Sequence, residues 1–174
     1  MRLHSIAAAA LVALAACGDG GTPVSVEARS LAGSWKTDVA IVHDAVTPDG
    51  NRDLERTETW TFEENGRYVR QALQYDPLSG RSYTEYFEDG IWGVQPGHVL
   101  ALRPERQFFA LRTWEPSPDP VLQPASGFTF KYSYGIQDDV LNVTWPCSGG
   151  FQLCVFIATG LHRVQQQPFG ALSR

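Results

Sequence analysis

The chain has 174 residues with 14 basic and 19 acidic side chains, and its formal net charge at pH 7 is −5. Its lysines and arginines are scattered and form no basic stripe, so the acidic balance argues against nucleic acid as a partner. No apolar run reaches the ~20 residues that a bilayer-spanning helix needs. The expected organisation is therefore one folded domain preceded by a targeting segment.

The amino terminus begins with one positive charge, Arg2, and continues as an apolar run that ends in alanines. This pattern is typical of a secretory signal peptide, which we predict over residues 1–16. The sequence Leu14-Ala15-Ala16-Cys17 resembles the bacterial lipobox, and the resemblance implies cleavage before Cys17 and acylation of that cysteine. Residues 17–24 would then tether the domain to the membrane. By the same resemblance, Gly18 after the cysteine favours the outer membrane, with the domain facing the periplasm.

Residues 25–165 are predicted to form one antiparallel β-barrel of 8–10 strands, preceded by a short helical turn that ends near Leu31. The stretch "FTFKYSYGI" alternates without a break from Phe128, which predicts a half-buried strand. Other alternating stretches recur along the chain, and Asn65-Gly66 is the strongest hairpin signal between them. Many short strands without helices favour an up-and-down barrel.

Three segments outside this pattern carry separate predictions. Residues 115–126, "EPSPDPVLQPAS", contain four prolines and are predicted to form an exposed, extended loop that joins a ladder only at an edge. Cys147 and Cys154 flank a glycine pair and are predicted to form a disulfide, because a secreted protein folds in a compartment that permits one. Residues 166–174 are predicted to form a loose tail.

The predicted first strand opens with Gly33-x-Trp35, which resembles the lipocalin signature. The stretches "TWTFEENGRYVR", "DGIWGVQPGHVLAL" and "YSYGIQDDVLNVT" are similar to the strand and turn spacing of lipocalin-like domains in bacterial lipoproteins. The resemblance covers most of residues 31–164 and implies a barrel that is closed at one end. It also implies that an arginine from the last strand, here Arg163, covers the tryptophan. Trp35 is then part of the barrel floor and is not itself the ligand site.

Two functions remain open for such a barrel, because an eight-stranded barrel either fills with side chains or holds one small molecule. The first is an envelope module that binds a small hydrophobic molecule. The aromatic residues predicted to line its pocket are Trp60, Phe62, Tyr86, Phe128, Phe130, Tyr132 and Tyr134. The alternative is a structural or interaction lipoprotein with a filled barrel, whose loops contact a protein partner that the sequence does not identify. It predicts an exposed apolar patch near Trp114.

Residues with catalytic or metal-binding chemistry form no recognisable arrangement in the sequence. His43, His98 and His162 lie in separate segments without a carboxylate at metal-ligand spacing. The pairs Glu85/Glu88 and Glu55/Glu58 are three residues apart, which puts the two members on opposite faces of a strand. These glutamates are predicted to be solvated, and the chain is predicted not to be an enzyme and to need no metal or cofactor.

Overall fold

A computed structural model describes residues 26–110, 114–144 and 156–164, with side chains for all of these except 26 and 156–159. Several predictions lie outside the described residues. They concern the signal peptide, the acylated Cys17 and its tether, the disulfide between Cys147 and Cys154, and the tail of residues 166–174.

One short helix and ten strands make up the described chain. The helix α1 spans Val26–Leu31, and this confirms the predicted helical turn. The strands are β1 Gly33–Lys36, β2 Ala40–Thr47, β3 Gly50–Phe62, β4 Arg67–Asp76, β5 Arg81–Gln95, β6 Val99–Phe109, β7 Gln123–Pro124, β8 Phe130–Gln137, β9 Val140–Thr144 and β10 Phe156–Arg163.

Eight of the strands close into an antiparallel barrel, as the alternating sequence predicts. Around the barrel their order is β1, β3, β4, β5, β6, β8, β9 and β10. The ring closes at β1, where Trp35 pairs with Arg163 of β10 on one side and with Trp60 of β3 on the other. Strand β2 continues the direction of β1 and pairs with the first half of β3. Because β3 is thirteen residues long, its first half pairs with β2 and its last four residues pair with β1.

The barrel has two unlike ends, which we call the closed end and the far end. The closed end carries α1 and the turns that follow β3, β5 and β8. Asp138 and Asp139 both have positive φ, 52° and 59°, which is the geometry of a two-residue hairpin turn. The hairpin predicted at Asn65-Gly66 is also present, although of these two residues only Gly66 has positive φ, at 82°. Asn65 instead accepts a hydrogen bond from the Arg67 amide through its side chain, at 2.8 Å.

The proline-rich segment of residues 115–126 runs over the far end and pairs only at strand edges, as predicted from its prolines. Strand β7 pairs with Arg106 and Gln107 of β6. Upstream of it, Ser117 forms a bridge with Thr84 of β5, and the Val46 amide of β2 donates to the Trp114 carbonyl. Residues 114–117, which we call the crossing segment, therefore connect β5 to β2 across the far end.

Apolar side chains fill the half of the barrel nearest the closed end. The largest completely buried side chains there include Trp35, Trp60, Phe62 and Tyr68. Leu31 of α1 is also fully buried and joins the same cluster, so the helix plugs the barrel. A second, smaller cluster of Ala45, Leu54 and Tyr83 lies towards the far end. Between the two clusters the buried residues are largely polar and charged.

Candidate functional site

The closed end is fixed by contacts around Trp35. The Arg163 guanidinium lies 4.1 Å from the centre of the indole ring, and the indole Nε1 donates to the Leu31 carbonyl at 2.8 Å. Arg163 also donates to the carbonyl oxygens of Ala32, at 2.9 Å, and Ser30. All these partners belong to the chain itself, so the Trp35 indole, which has no exposed surface, closes the barrel and offers nothing to a ligand.

Gly33 is required at this closure for two reasons. Its φ of 116° lies in the region that residues with a side chain rarely adopt. A Cβ at this position would stand 3.2 Å from the Arg163 guanidinium, which is tighter than ordinary van der Waals contact. Glycine therefore lets the arginine reach both the indole and the backbone carbonyls of the α1–β1 junction.

A groove with a volume of about 510 Å³ lies outside the barrel beside this closure. Ser34 and Thr61 line it, and they alternate in sequence with the inward-facing Trp35 and Trp60. Its charged residues are two of each sign, Arg29 and Arg163 against Glu63 and Glu64. The groove is part of the outer surface, and of the seven residues that were predicted to form a ligand pocket, Phe62 is the one that lines it.

Six of the seven predicted pocket residues lie in strands of the barrel, and their side chains are buried or partly buried. Trp60 and Phe62 lie in the core with ring centres 6.1 Å apart, and Phe62 contacts Trp92 at 5.0 Å. Tyr132 and Tyr134 are 5% and 9% exposed. Phe130 is partly buried and stacks on Tyr132 with ring centres 6.4 Å apart. The sixth, Tyr86, lies further from the closed end, 8% exposed.

The prediction for Phe128 is wrong. Strand β8 begins at Phe130, and Phe128 lies before it with 71% of its surface exposed. The alternation in "FTFKYSYGI" therefore runs two residues further than the strand does. Gly127, with a φ of 75°, turns the chain just before this position, so the ladder with β6 starts later than the sequence pattern indicates.

Five charged side chains occupy the barrel interior next to the aromatic rings, and we call them the lumen charge cluster. They are Arg56 and Glu58 of β3, Arg70 of β4, and Glu85 and Glu88 of β5. All three carboxylates are buried, with 5–8% of each residue exposed. The side chains of Arg56 and Arg70 keep 28% and 15% of their surface exposed, so solvent reaches this level of the barrel.

Two of the carboxylates are fully engaged by cations. Glu85 accepts both arms of the Arg56 guanidinium, at 2.7 and 3.0 Å, and a further hydrogen bond from Gln74 at 2.9 Å. Glu58 accepts hydrogen bonds from Arg70 at 3.0 Å and from the Trp60 indole at 2.7 Å. The bidentate contact of Glu85 and the single charge-assisted bond from Arg70 to Glu58 offset part of the cost of burying these ions.

Arg70 has a second set of neighbours, because its guanidinium lies between two aromatic rings. The distances to the ring centres of Trp60 and Tyr86 are 4.4 and 4.5 Å. Cations are attracted to such ring faces, more strongly where water is excluded. Part of the predicted aromatic pocket is thus already occupied by a cation of the chain itself.

Glu88 differs from the other two carboxylates of the cluster. It accepts a hydrogen bond from the Tyr68 hydroxyl at 2.6 Å, and it has no cation within 4 Å among the residues that the structure describes. Two guanidinium groups therefore face three carboxylates, which leaves the cluster with one negative charge when all five groups are ionised. Glu88 is the carboxylate of the cluster without a salt-bridge partner, although Arg70 lies close enough to feel its charge.

Tyrosine hydroxyls surround Glu88. Burial, reinforced by the nearby Glu88 charge, raises the pKa of Tyr68 and of Tyr86, and burial raises that of Tyr132 to about 12. These hydroxyls therefore keep their protons at neutral pH and can donate hydrogen bonds. The Tyr86 hydroxyl is buried and faces Glu88, close enough for that carboxylate to raise its pKa but without a hydrogen bond of ordinary length and angle to it.

The prediction that these glutamates are solvated is wrong for Glu58, Glu85 and Glu88. In β5, Tyr86 pairs with Ala72 but Thr84 pairs with Leu73, so Glu85 is the extra residue of a β-bulge. A bulge shifts the alternation of the strand by one residue. Glu85 and Glu88 can then both face the interior, although a regular strand would separate them.

Sequence reasoning could have found one member of the lumen charge cluster. Glu58 is two residues before Trp60 in an unbroken strand, so the two side chains must share a face. Their hydrogen bond follows directly from that spacing. Glu58 was considered only together with Glu55, and charged residues are rarely buried unless they are paired.

Nearer the far end, an isolated ion pair connects β3 to the end of β4. The Asp76 carboxylate, which has no exposed surface, accepts hydrogen bonds from Arg52 at 2.6 Å and from the Ser79 hydroxyl at 2.7 Å. The hydrogen bond from Ser79, with others from the Leu78 amide and Arg52, lowers the pKa of Asp76 to about 2. This pair ties the β4–β5 turn to the barrel wall.

Comparisons with known proteins do not assign the chain to a family. A scan against protein-family models finds no match for the chain, and a search of curated proteins finds none either. Within the described ranges, no helix is long and apolar enough to cross a bilayer, and no group of three potential metal ligands is present.

Proposed function

We propose that this protein is a lipocalin-like lipoprotein of the bacterial cell envelope whose barrel binds a small, largely apolar molecule. One acyl-bearing cysteine, Cys17, anchors it to the membrane, with the domain in the periplasm and the outer membrane as the favoured location. The proposal for the anchor depends on the signal-peptide pattern and the lipobox resemblance.

The observation that carries the binding proposal is the composition of the barrel interior. A barrel closed at one end and lined by aromatic rings with a few converging polar groups has the character of a small-molecule site. Trp60, Tyr86 and Tyr132 supply rings, and Glu88 supplies a polar group that the chain leaves without a cation. A barrel that only filled its own interior would gain nothing from a buried carboxylate without a salt-bridge partner.

Binding is tested with the full-length Cys17→Ser protein and the neutral fluorescent probe N-phenyl-1-naphthylamine. We expect a saturable rise in fluorescence that fits one site per chain. A linear, non-saturating rise would show partition onto surface apolar residues and would count against a lumen site. Anchoring is tested separately by fractionation, in which the wild-type protein should sediment with membranes and Cys17→Ser should be released.

A second candidate function is favoured by a different observation. Trp114, Val121 and Phe128, in or next to the proline-rich segment, are 45%, 69% and 71% exposed. Exposed apolar side chains mark a protein contact surface where they form one contiguous patch, which is what this second candidate requires of the three residues. In that case the barrel is a filled scaffold, the far end contacts a protein partner, and the naphthylamine probe finds no saturable site.

A further inference from the structure

The Glu88 carboxylate has no salt-bridge partner, and this indicates the charge of the molecule that the barrel would bind. A buried carboxylate without a cation costs free energy, and the folded protein recovers that cost if a ligand brings the missing positive charge. Neighbouring Tyr86 adds a buried hydroxyl that faces Glu88 but makes no hydrogen bond of ordinary geometry, so its oxygen is available to accept one from a ligand.

We propose that the barrel binds an organic cation with a short apolar tail, held by its ammonium head group at Glu88 and Tyr86. This inference rests on the proposed binding function and names the ligand class for it. The ammonium group donates to the Glu88 carboxylate and to the Tyr86 hydroxyl oxygen. Its tail packs against the aromatic rings beside Tyr132.

The other charged groups of the lumen do not compete for this role. Arg56 and Arg70 are already held by Glu85 and Glu58, so an anionic ligand would have to displace an existing ion pair. An anion would also bring a second negative charge to a cluster that already carries one. A neutral ligand would leave the Glu88 charge as it is. Among the three charge types, a cation alone improves the electrostatics of the site.

The route to the site is consistent with a small ligand. The guanidinium groups of Arg56 and Arg70 are partly exposed although their carboxylate partners are buried. Solvent therefore reaches the lumen charge cluster from the side of the far end, and the closed end is plugged by α1 and Trp35.

The test compares three six-carbon probes that differ in charge: hexylammonium, hexanol and hexanoate. Each is titrated into the full-length Cys17→Ser protein by isothermal calorimetry. We expect hexylammonium to bind at one site and at least about tenfold more tightly than hexanol, a factor typical of one charge-assisted contact. Hexanoate should be the weakest of the three. Equal affinities for hexylammonium and hexanol would overturn the proposal.

Variants locate the site and keep the test independent of folding. Glu88→Gln keeps the shape and the acceptor for Tyr68 but removes the charge. It should lose the preference for hexylammonium, while its melting temperature without ligand stays equal or rises. Tyr86→Phe should weaken hexylammonium binding without lowering the melting temperature. As a matched control, Glu105→Gln removes a surface carboxylate and should bind as the parent does. Unchanged selectivity in Glu88→Gln would place the cation elsewhere.

The outcomes also separate this inference from the binding function on which it rests. If the naphthylamine probe binds at one site but hexylammonium shows no preference over hexanol, the ligand class is wrong and the binding function stands. If neither probe binds, the barrel is a filled scaffold and both proposals fail.

Discussion

Arg163 covers Trp35, with its guanidinium 4.1 Å from the indole ring centre, and so joins the last strand of the barrel to the first. The same arginine reaches back to two carbonyl groups between α1 and β1. One side chain thus ties together the helix plug, the first strand and the last strand. Because the ring closes at this point, the stability of the whole barrel depends on it.

Trp35→Ala should lower the free energy of unfolding by about 3–5 kcal/mol, because it removes a completely buried indole and leaves a cavity. Urea denaturation followed by circular dichroism measures the change. Trp114→Ala is the matched control, since Trp114 is 45% exposed, and it should cost less than about 1 kcal/mol. Equal losses of stability in the two variants would show that the Trp35 indole does not stabilise the closed end of the barrel.

Glu85→Ala should cost about 3 kcal/mol, because it leaves the Arg56 guanidinium without its bidentate partner inside the barrel. The comparison is Glu105→Ala, which breaks a 2.7 Å ion pair with Arg67 in which both side chains are 42% exposed. A surface pair of that kind contributes at most about 1 kcal/mol. If the two variants unfold at the same urea concentration, the lumen charge cluster contributes no more than a surface contact.

Acid should weaken the protein through Asp76. The folded-state pKa of Asp76 is about 2, below the 3.8 of the free side chain, so the unfolded chain binds this proton first as the pH falls. The stabilisation is complete above about pH 4 and is lost as the pH falls towards 2. Melting temperatures of Asp76→Asn should therefore change less than those of the parent between roughly pH 5 and pH 2.5. Asp119→Asn, at an exposed position, should keep the slope of the parent.

Reduction should lower the thermal stability through Cys147 and Cys154, whose predicted disulfide closes a short loop worth roughly 2–3 kcal/mol. Differential scanning calorimetry with and without a reducing agent measures this change. Cys147→Ser/Cys154→Ser should melt at the temperature of the reduced parent and should not respond to the reductant. Two freely reactive thiols in the native Cys17→Ser protein would exclude the bond.

The alternation of apolar residues was enough to predict the barrel, because each strand that faces a packed interior must place every second residue there. The turn at Asp138-Asp139 and the edge pairing of the proline-rich segment follow from equally local rules. The lumen charge cluster does not. Its members lie on three strands, and Glu85 faces inward only because a bulge in β5 shifts the alternation. Local sequence periodicity does not reveal where this bulge occurs.

The burial of Arg56 and Glu85 also depends on a pairing that sequence periodicity cannot supply. Each side chain alone would be expensive to bury, and their contact across the intervening strand β4 offsets part of that cost. The two residues are 29 positions apart. Their partnership therefore becomes apparent once the register of β3, β4 and β5 is known.

The most direct test of the central claim, that the barrel binds a small molecule, is native mass spectrometry of the Cys17→Ser protein purified from the periplasm without detergent. We expect an additional mass that is present in the native protein, is lost on denaturation and belongs to a small amphipathic molecule. A native mass equal to that of the polypeptide, together with no mass gained after incubation with N-phenyl-1-naphthylamine or hexylammonium, would contradict that claim. The barrel would then be a filled scaffold that acts through its far end.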